Sequence, residues 1–254
     1  MSRIVVKVGS AVLTQNNSIA VERMQALVDF LVALKKENEV ILVSSGSVSA
    51  GFTRLELDRT ILKNKQALAS IGQPILMNKY ARKFLKHDVL CSQVLVTAAN
   101  LNKSDDTKRI KNTIDILLQN DVIPIVNEND ATSTLELEVG DNDQLSAYIT
   151  QQTDSDILVI LSDIDAYYDH DPRTDSDAKV LKIVNSISKE ELDREATPNN
   201  IFATGGIVTK LKAADYLLKH NKSMFLATGF DLSDVKSFML DGVHNGGTLF
   251  KVKN

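Results

Sequence analysis

The sequence is poor in residue types that mark particular classes of protein. Among 254 residues it has one cysteine, no tryptophan and four histidines. A single cysteine, Cys91, cannot form a disulfide within the chain, which excludes a disulfide-stapled fold and suits the reducing cytoplasm. Cys91 follows the apolar residues Val89 and Leu90, so we expect a buried structural thiol and not a nucleophile.

The chain also lacks a long apolar run and a large excess of charge of one sign. The apolar run 4–8 is too short for a secretory signal, and no stretch approaches the about 20 apolar residues of a membrane span. With a formal net charge of −4, we expect neither nucleic acid nor a membrane as partner. Anionic ligands must therefore be bound by a local site.

What the sequence has throughout is an alternation of β-branched runs with segments of helical periodicity. The predicted strands are 4–8, 40–43, 94–96, 122–126, 157–161 and 224–227, and helical spacing is clearest over 24–31, 110–118 and 207–218. The alternation predicts an α/β fold with a mainly parallel central sheet and helices on both faces. No linker or internal repeat divides residues 1–254, and a boundary between two lobes is placed near residue 150.

Polar and glycine-containing segments follow several of the predicted strands. They are residues 9–10, 44–46, 127–130 and 162–163. Because ligands of such folds bind beyond the carboxyl ends of the strands, we expect these segments to converge on one edge of the sheet.

Two lysines stand beside glycines in positions suited to a phosphate. Lys7 lies in the first predicted strand and precedes Gly9, where a backbone can approach a ligand closely. Lys210 lies in the first turn of the helix that follows Gly205 and Gly206, and free N–H groups at such a helix end attract anions. The alternatives are an edge-strand lysine that reaches solvent and a surface lysine on an ordinary helix.

Acids and amides are concentrated at residues 127–130 and 140–143, with Glu136 and Glu138 between them. Carboxylates this close raise each other's pKa unless a cation is present, which could be a metal, a lysine or a substrate ammonium. EF-hand spacing is absent. Asp141 also suits a helix cap, with Gln144 as its partner three residues on.

Residues 162–169 leave a predicted strand and carry Tyr167 and Tyr168, which would either form the floor of an adenine site or pack on the core.

No histidine lies in any of these clusters, which argues against triad hydrolysis and histidine-rich metal sites. A carboxylate that attacks phosphorus needs no general base, since it is ionised at neutral pH. Lysines, Mg²⁺ and helix-end amides supply what phosphoryl transfer requires.

Five segments together resemble the amino-acid kinase family over nearly the whole chain. They are Lys7-Val8-Gly9-Ser10, residues 44–51, Asn127-Glu128-Asn129-Asp130, Gly140-Asp141-Asn142-Asp143 and residues 204–210. The order and separation of the two acidic motifs resemble the members that phosphorylate glutamate. The resemblance implies a three-layer α/β/α sandwich, with an amino-acid lobe at about 1–150 and a nucleotide lobe at about 151–254.

The resemblance also implies roles for single residues. Lys7 and Lys210 would contact ATP phosphates and stabilise the transition state, and Asp143 would orient both lysines. Glutamate would be held by Ser45, Asp130 and Asn142, and no residue is implied as a dedicated metal ligand. The implied ATP-binding residues are Lys7, Ser162, Asp163, Thr204, Gly205, Gly206, Ile207, Val208, Thr209 and Lys210.

The implied reaction is the first step of proline synthesis, in which MgATP and L-glutamate give L-glutamyl 5-phosphate in the cytoplasm. Proline would be a feedback inhibitor, and the assembly a homo-oligomer, either dimer or tetramer.

Four positions depart from the commonest pattern of the family: Ser10, Ser47, Ser49 and Ala166. Ala166 replaces a frequent glycine and needs a negative φ. Many members carry an additional C-terminal domain similar to RNA-binding modules, and since the sequence ends at Asn254 we expect it to be missing here.

Three other interpretations compete with this one. A sister enzyme would act on acetylglutamate, aspartate, carbamate or a phosphorylated small molecule. Asp130 suits a free α-ammonium, which acetylglutamate lacks, and the phosphate of UMP would favour arginine near the acidic motifs. A non-catalytic amino-acid sensor would not need Lys7, Lys210 and Asp143. A dinucleotide-binding Rossmann protein would carry G-x-G-x-x-G after the first strand, which is absent.

Overall fold

The computed structural model describes residues 1–101, 103–132, 142–193 and 206–253. The strands in these ranges are β1 (Arg3–Val8), β2 (Thr14–Gln15), β3 (Ser18–Ile19), β4 (Glu39–Ser44), β5 (Cys91–Val96), β6 (Ile123–Glu128), β7 (Ile157–Ser162), β8 (Ile183–Val184), β9 (Ser223–Thr228) and β10 (Thr248–Phe250). The helices are α1 (Ser10–Leu13), α2 (Val21–Lys35), α3 (Ser47–Phe52), α4 (Leu62–Leu85), α5 (Ala98–Leu101), α6 (Ser104–Gln119), α7 (Asn142–Gln152), α8 (Lys189–Leu192), α9 (Ile207–Lys219) and α10 (Ser233–Leu240).

Eight of the strands form one sheet in the order β5-β6-β4-β1-β7-β9-β10-β8. The strands from β5 to β9 in this order are parallel, β10 is antiparallel to β9, and β8 is parallel to β10. The mainly parallel sheet is therefore confirmed, and all six predicted strands are present. The sheet is continuous across residue 150, because β1 pairs with β4 on one side and β7 on the other.

The core forms two layers, one on each face of the sheet. Successive side chains of a strand point to opposite faces, so Val5 packs in one apolar cluster and Val6 in the other. The Val6 cluster includes residues of α2 and α4, and the Val5 cluster includes residues of α6, α7 and α9. This arrangement confirms the three-layer α/β/α sandwich and explains why the strands are apolar on both faces.

The segments predicted to gather at the carboxyl edge do lie at the ends of neighbouring strands. In the register of the sheet, Val8 pairs with Ser44 on β4 and with Leu161 on β7. After β4 the chain turns at Gly46, whose φ of 107° favours glycine, and α3 begins at the next residue.

Helices α3 and α4 pack backbone against backbone beside this edge. A Cβ atom on Gly72 of α4 would overlap the Ser47 carbonyl oxygen and the Gly51 amide nitrogen of α3. Since no side chain separates the two helices here, the position of α4 relative to α3 is tightly constrained.

Cys91 corrects one expectation. It lies on β5, a strand at the edge of the sheet, and is half-buried instead of fully buried. Burial still raises the pKa of its thiol to about 11, so the thiol stays protonated at neutral pH and is a poor nucleophile. Separately, none of the helices in the described ranges has the length and apolar character needed to cross a bilayer.

Candidate active site

The centre of the site is a carboxylate buried between two lysines. Asp143 lies in the first turn of α7, and its Oδ1 is 2.5 Å from the Nζ of Lys7 on β1. Its Oδ2 is 3.1 Å from the Nζ of Lys210 on α9. All three residues are at most 4% exposed, so neither lysine is the solvent-reaching surface residue of the alternative interpretations. The structure brings together the three residues predicted to be catalytic.

The electrostatics of this cluster favour an anionic ligand. Complete burial by itself favours the neutral form of Asp143, but the charges of Lys7 and Lys210 outweigh it and hold the pKa of Asp143 well below its usual range. Thr209 Oγ1 adds a hydrogen bond to Asp143 Oδ2 at 2.8 Å. Among these three side chains two ammonium groups face one carboxylate, an arrangement that favours an anion such as phosphate beside them.

The N-terminus of α9 lies beside the cluster. Gly206 is the residue before the helix, and its carbonyl oxygen accepts hydrogen bonds from Thr209 Oγ1 at 2.9 Å and Lys210 Nζ at 3.5 Å. Ile207 and Val208 follow in the first turn. Two of the predicted ATP-binding residues, Thr204 and Gly205, lie outside the described residues.

A cavity of about 470 Å³ opens next to this helix end, lined by residues 163–173 with Ile207 and Val208. At its start, Ser162 Oγ donates to Asp163 Oδ1 at 2.9 Å. The two tyrosines of the lining differ. Tyr167 is 9% exposed, stacks on the core residue Phe250 and hydrogen-bonds to Glu191, whereas the Tyr168 hydroxyl donates to Asp165. Ala166 does not have a positive φ.

The residues predicted to hold glutamate are linked by hydrogen bonds to the residues around the starts of α3 and α7. Asn142 is the neighbour of Asp143 in the first turn, and its Nδ2 donates to Ser45 Oγ at 2.8 Å. Asp130 lies after β6, and its Oδ2 accepts a hydrogen bond from Ser47 Oγ at 2.8 Å. One turn of helix therefore joins the lysine cluster to this polar pocket. Glu136, Glu138, Gly140 and Asp141 of the acidic motifs lie outside the described residues.

The surroundings of Asp130 do not fully offset the cost of burying its negative charge. Burial raises the pKa of its carboxyl group, and the hydrogen bond from Ser47 and the charge of Lys65 offset this only in part. An ionised carboxylate in such a place is stabilised by a cationic ligand. The ammonium group of an amino acid would supply that charge.

Sequence reasoning missed the residues that support this pocket from behind. Asn127 is 2% exposed, and its Oδ1 accepts from Asn142 Nδ2 at 3.1 Å, while its Nδ2 donates to Gln73 Oε1 at 3.0 Å. Asn127 is the first residue of the motif 127–130 and directly follows the predicted strand 122–126, so its position in the sequence is a usable signal. Gln73 lies within α4, and nothing in the local pattern distinguishes it from a surface glutamine.

Known proteins resemble this chain over most of its length. The profile of the amino acid kinase family matches residues 2–228. The chain is 51% identical to glutamate 5-kinase of Wolinella succinogenes, over 98% of each chain. It is 50% identical to glutamate 5-kinase of Leishmania donovani, over 98% of this chain and 95% of that protein.

Among solved structures, isopentenyl phosphate kinase superposes with a TM-score of 0.70 and 16% identity, over 98% of this chain and 100% of that one. At this identity the structural likeness supports the fold alone.

Proposed function

The chain belongs to the amino acid kinase family, and on that premise we infer that it transfers the γ-phosphoryl group of ATP to the γ-carboxylate of L-glutamate. The product is L-glutamyl 5-phosphate, and the reaction is the first step of proline biosynthesis. The observation that carries the inference is the buried Lys7–Asp143–Lys210 cluster, which α7 joins to the pocket of Ser45, Asp130 and Asn142.

On the phosphate side, Lys7 and Lys210 are proposed to bind the phosphoryl oxygens while the group is transferred. An ammonium about 4 Å from a phosphate oxygen contributes roughly 4 kcal/mol at an effective dielectric constant near 20. Asp143 stays ionised because its pKa is lowered, so it positions the lysines and does not act as a base. No base is needed, since the attacking carboxylate is already ionised.

The nucleotide is proposed to extend from this cluster across the N-terminus of α9 into the cavity of residues 163–173. Free N–H groups at the start of α9 would face its phosphates. Thr204, Gly205, Gly206, Ile207, Val208 and Thr209 would contribute to this binding, together with Ser162 and Asp163.

On the substrate side, Asp130 is proposed to bind the α-ammonium of glutamate, with Ser45 and Asn142 as further hydrogen-bonding partners. The raised pKa of Asp130 supports this role, because a bound ammonium compensates the buried charge. Acetylglutamate has no such ammonium. Division of the chain near residue 150 into an amino-acid lobe and a nucleotide lobe follows from these placements.

Magnesium is proposed to bind with the nucleotide. Both oxygens of Asp143 lie against lysine ammonium groups, so that carboxylate is poorly suited to a metal, and in the described part of the chain no three His, Cys, Asp or Glu side chains gather as ligands. Phosphate oxygens and water are the usual ligands of Mg²⁺ in such sites. When bound, Mg²⁺ would neutralise charge on the phosphates.

Three further properties are proposed with the activity. A cytoplasmic location suits the lone Cys91. Proline carries the same α-ammonium and α-carboxylate charges as glutamate, which supports feedback inhibition at the pocket of Asp130. A homo-oligomer, dimer or tetramer, is supported by Leu90 and Leu95, which are 63% and 37% exposed beside and on the edge strand β5.

The test of the activity is a panel of acceptors. The purified protein is incubated with MgATP and, separately, glutamate, acetylglutamate, aspartate, carbamate or UMP, while ADP release is followed and acyl phosphate is trapped with hydroxylamine. We expect glutamate alone to give both ADP and hydroxamate. Turnover of another acceptor alone would overturn the substrate, and glutamate binding without any turnover would favour the amino-acid sensor.

Asp130→Asn is expected to weaken glutamate binding and to stabilise the free protein. Loss of a charged hydrogen-bond partner, worth about 1.5–3 kcal/mol, should raise the KM for glutamate by about 10- to 150-fold. Because the pKa of Asp130 is raised in the folded state, its ionised form opposes folding at neutral pH, and this penalty disappears below the unfolded pKa of about 3.9. The melting temperature of Asp130→Asn should therefore exceed that of the wild type at pH 7, with the gain shrinking toward pH 4.

The control for this prediction is Asp88→Asn, which removes the same charge at an exposed residue between α4 and β5. It should change neither the KM for glutamate nor the pH dependence of melting. A KM for glutamate that is unchanged in Asp130→Asn would remove Asp130 from the binding site.

A further inference from the structure

A chain of hydrogen-bonded side-chain amides runs from the edge of the sheet to the proposed glutamate pocket. Its links are Gln73 Nε2 to Gln93 Oε1 at 2.9 Å, Asn127 Nδ2 to Gln73 Oε1 at 3.0 Å, and Asn142 Nδ2 to Asn127 Oδ1 at 3.1 Å. The four residues come from α4, β5, β6 and α7. These hydrogen bonds therefore connect four elements that are distant in sequence.

Two backbone groups fix the orientation of these side-chain amides. The N–H of Glu128 can only donate, and it donates to Asn127 Oδ1 at 2.9 Å, which identifies the oxygen end of that amide. The carbonyl oxygen of Ser44 can only accept, and it lies 3.4 Å from Asn142 Nδ2. Since the nitrogen of Asn142 faces Ser44, Ser45 and Asn127, its carbonyl oxygen is the end presented to a ligand.

Gln73 completes the orientation of Asn127. With its oxygen engaged by Glu128 and Asn142, Asn127 has its nitrogen left to satisfy, and Gln73 Oε1 is the acceptor. Asn127 and Gln73 are 2% and 8% exposed, so water does not readily replace a missing partner. Gln73 is itself held in place, because its neighbour Gly72 lies against the backbone of α3.

We propose that Gln73 is a positioning residue for glutamate binding: it holds the Asn127 amide in the orientation that turns the Asn142 carbonyl oxygen toward the substrate ammonium. The inference rests on the proposed function. Gln73 touches neither substrate nor nucleotide and acts through Asn127.

Three variants separate orientation from packing. Gln73→Met has a similar shape but offers no acceptor comparable to an amide oxygen, Gln73→Glu keeps an acceptor oxygen for Asn127, and Gln93→Ala breaks only the outer link. We expect Gln73→Met to raise the KM for glutamate by about 10- to 100-fold, with kcat and the KM for ATP within about twofold of the wild type. Gln73→Glu should recover most of the affinity for glutamate, and Gln93→Ala should resemble the wild type.

Comparison of stability with the KM for glutamate distinguishes a positioning role from a purely structural one. If the role were purely structural, the KM for glutamate would follow stability. Gln73→Glu buries a charge and should unfold at lower urea than Gln73→Met, although it binds glutamate better. If the KM for glutamate instead follows stability, with Gln73→Glu worse than Gln73→Met, Gln73 is only structural and the proposal is wrong. Should Gln73→Met not fold, Gln73→Asn, whose amide falls one methylene short of Asn127, must raise the KM for glutamate selectively.

The proposed function and this inference fail in different ways. A wild-type protein that does not phosphorylate glutamate overturns both. An active wild type whose KM for glutamate is unchanged in Gln73→Met overturns the positioning role alone.

Discussion

Lys210→Met is expected to lower kcat by about a thousandfold, with much smaller changes in the KM values for glutamate and ATP. Methionine has a similar length and is unbranched, so the variant keeps the packing at this 2% exposed position. Lys7 then keeps its ion pair with Asp143, and the site loses one of the two ammonium groups that would meet the transferring phosphoryl group. Steady-state kinetics of ADP release measure the effect.

The matched control for Lys210→Met is Lys212→Met, on the exposed face of the same helix. It removes the same charge without touching the cluster, and its kinetics should equal those of the wild type. A Lys210→Met variant that keeps more than about a tenth of the wild-type kcat would exclude Lys210 from transition-state stabilisation.

Asp143→Ala is expected to cost stability as well as activity. It leaves Lys7 and Lys210, 4% and 2% exposed, without their shared carboxylate. Removal of one partner of a buried ion pair costs about 3–5 kcal/mol. Since the lysines would also lose their orientation, we expect kcat to fall by about a thousandfold or more. The chain has no tryptophan, so urea unfolding is best followed by circular dichroism.

The pH dependence of the loss has a defined sign. The pKa of Asp143 is lowered in the folded state, so its contribution is complete above the unfolded pKa of about 3.9 and is lost as the pH falls below that value. The difference between the wild type and Asp143→Ala should therefore shrink as the pH falls below about 4.

The control for Asp143→Ala is Asp215→Ala, which breaks an exposed pair with Lys219 within α9. Such a surface pair contributes at most about 1 kcal/mol. If Asp143→Ala unfolds at the same urea concentration as Asp215→Ala, the buried cluster does not stabilise the fold.

The strands and the layer order could be predicted from sequence because they depend on local patterns. Apolar runs such as 157–161, and 4–8 with Lys7 as its single polar residue, belong to strands covered on both faces. The short strands β8 and β10 carry too few residues for such a pattern, and the antiparallel pairing of β10 with β9 was not foreseen.

The site was predictable only in part, because burial and partners depend on tertiary structure. From the sequence, Lys7 could lie on an edge strand. In the structure β1 has four strands on one side and three on the other, so Lys7 lies on an interior strand. The prediction that Cys91 is buried was wrong, because its strand β5 lies at the edge of the sheet. The role of Gln73 depends on Asn127, a residue far away in sequence that only the folded chain brings near.

The central position of β1 also bears on how the enzyme is made. Strand β1 is synthesised before both strands that flank it, and Val5 lacks its partner on one side until Leu158 of β7 has been added. Contacts this distant in sequence make folding slow, because the loop must close before the pairing rewards it. Until residue 210 has been added, Lys7 and Asp143 lack their third partner. A nascent or truncated chain that ends before α9 should therefore depend on chaperones and show no kinase activity.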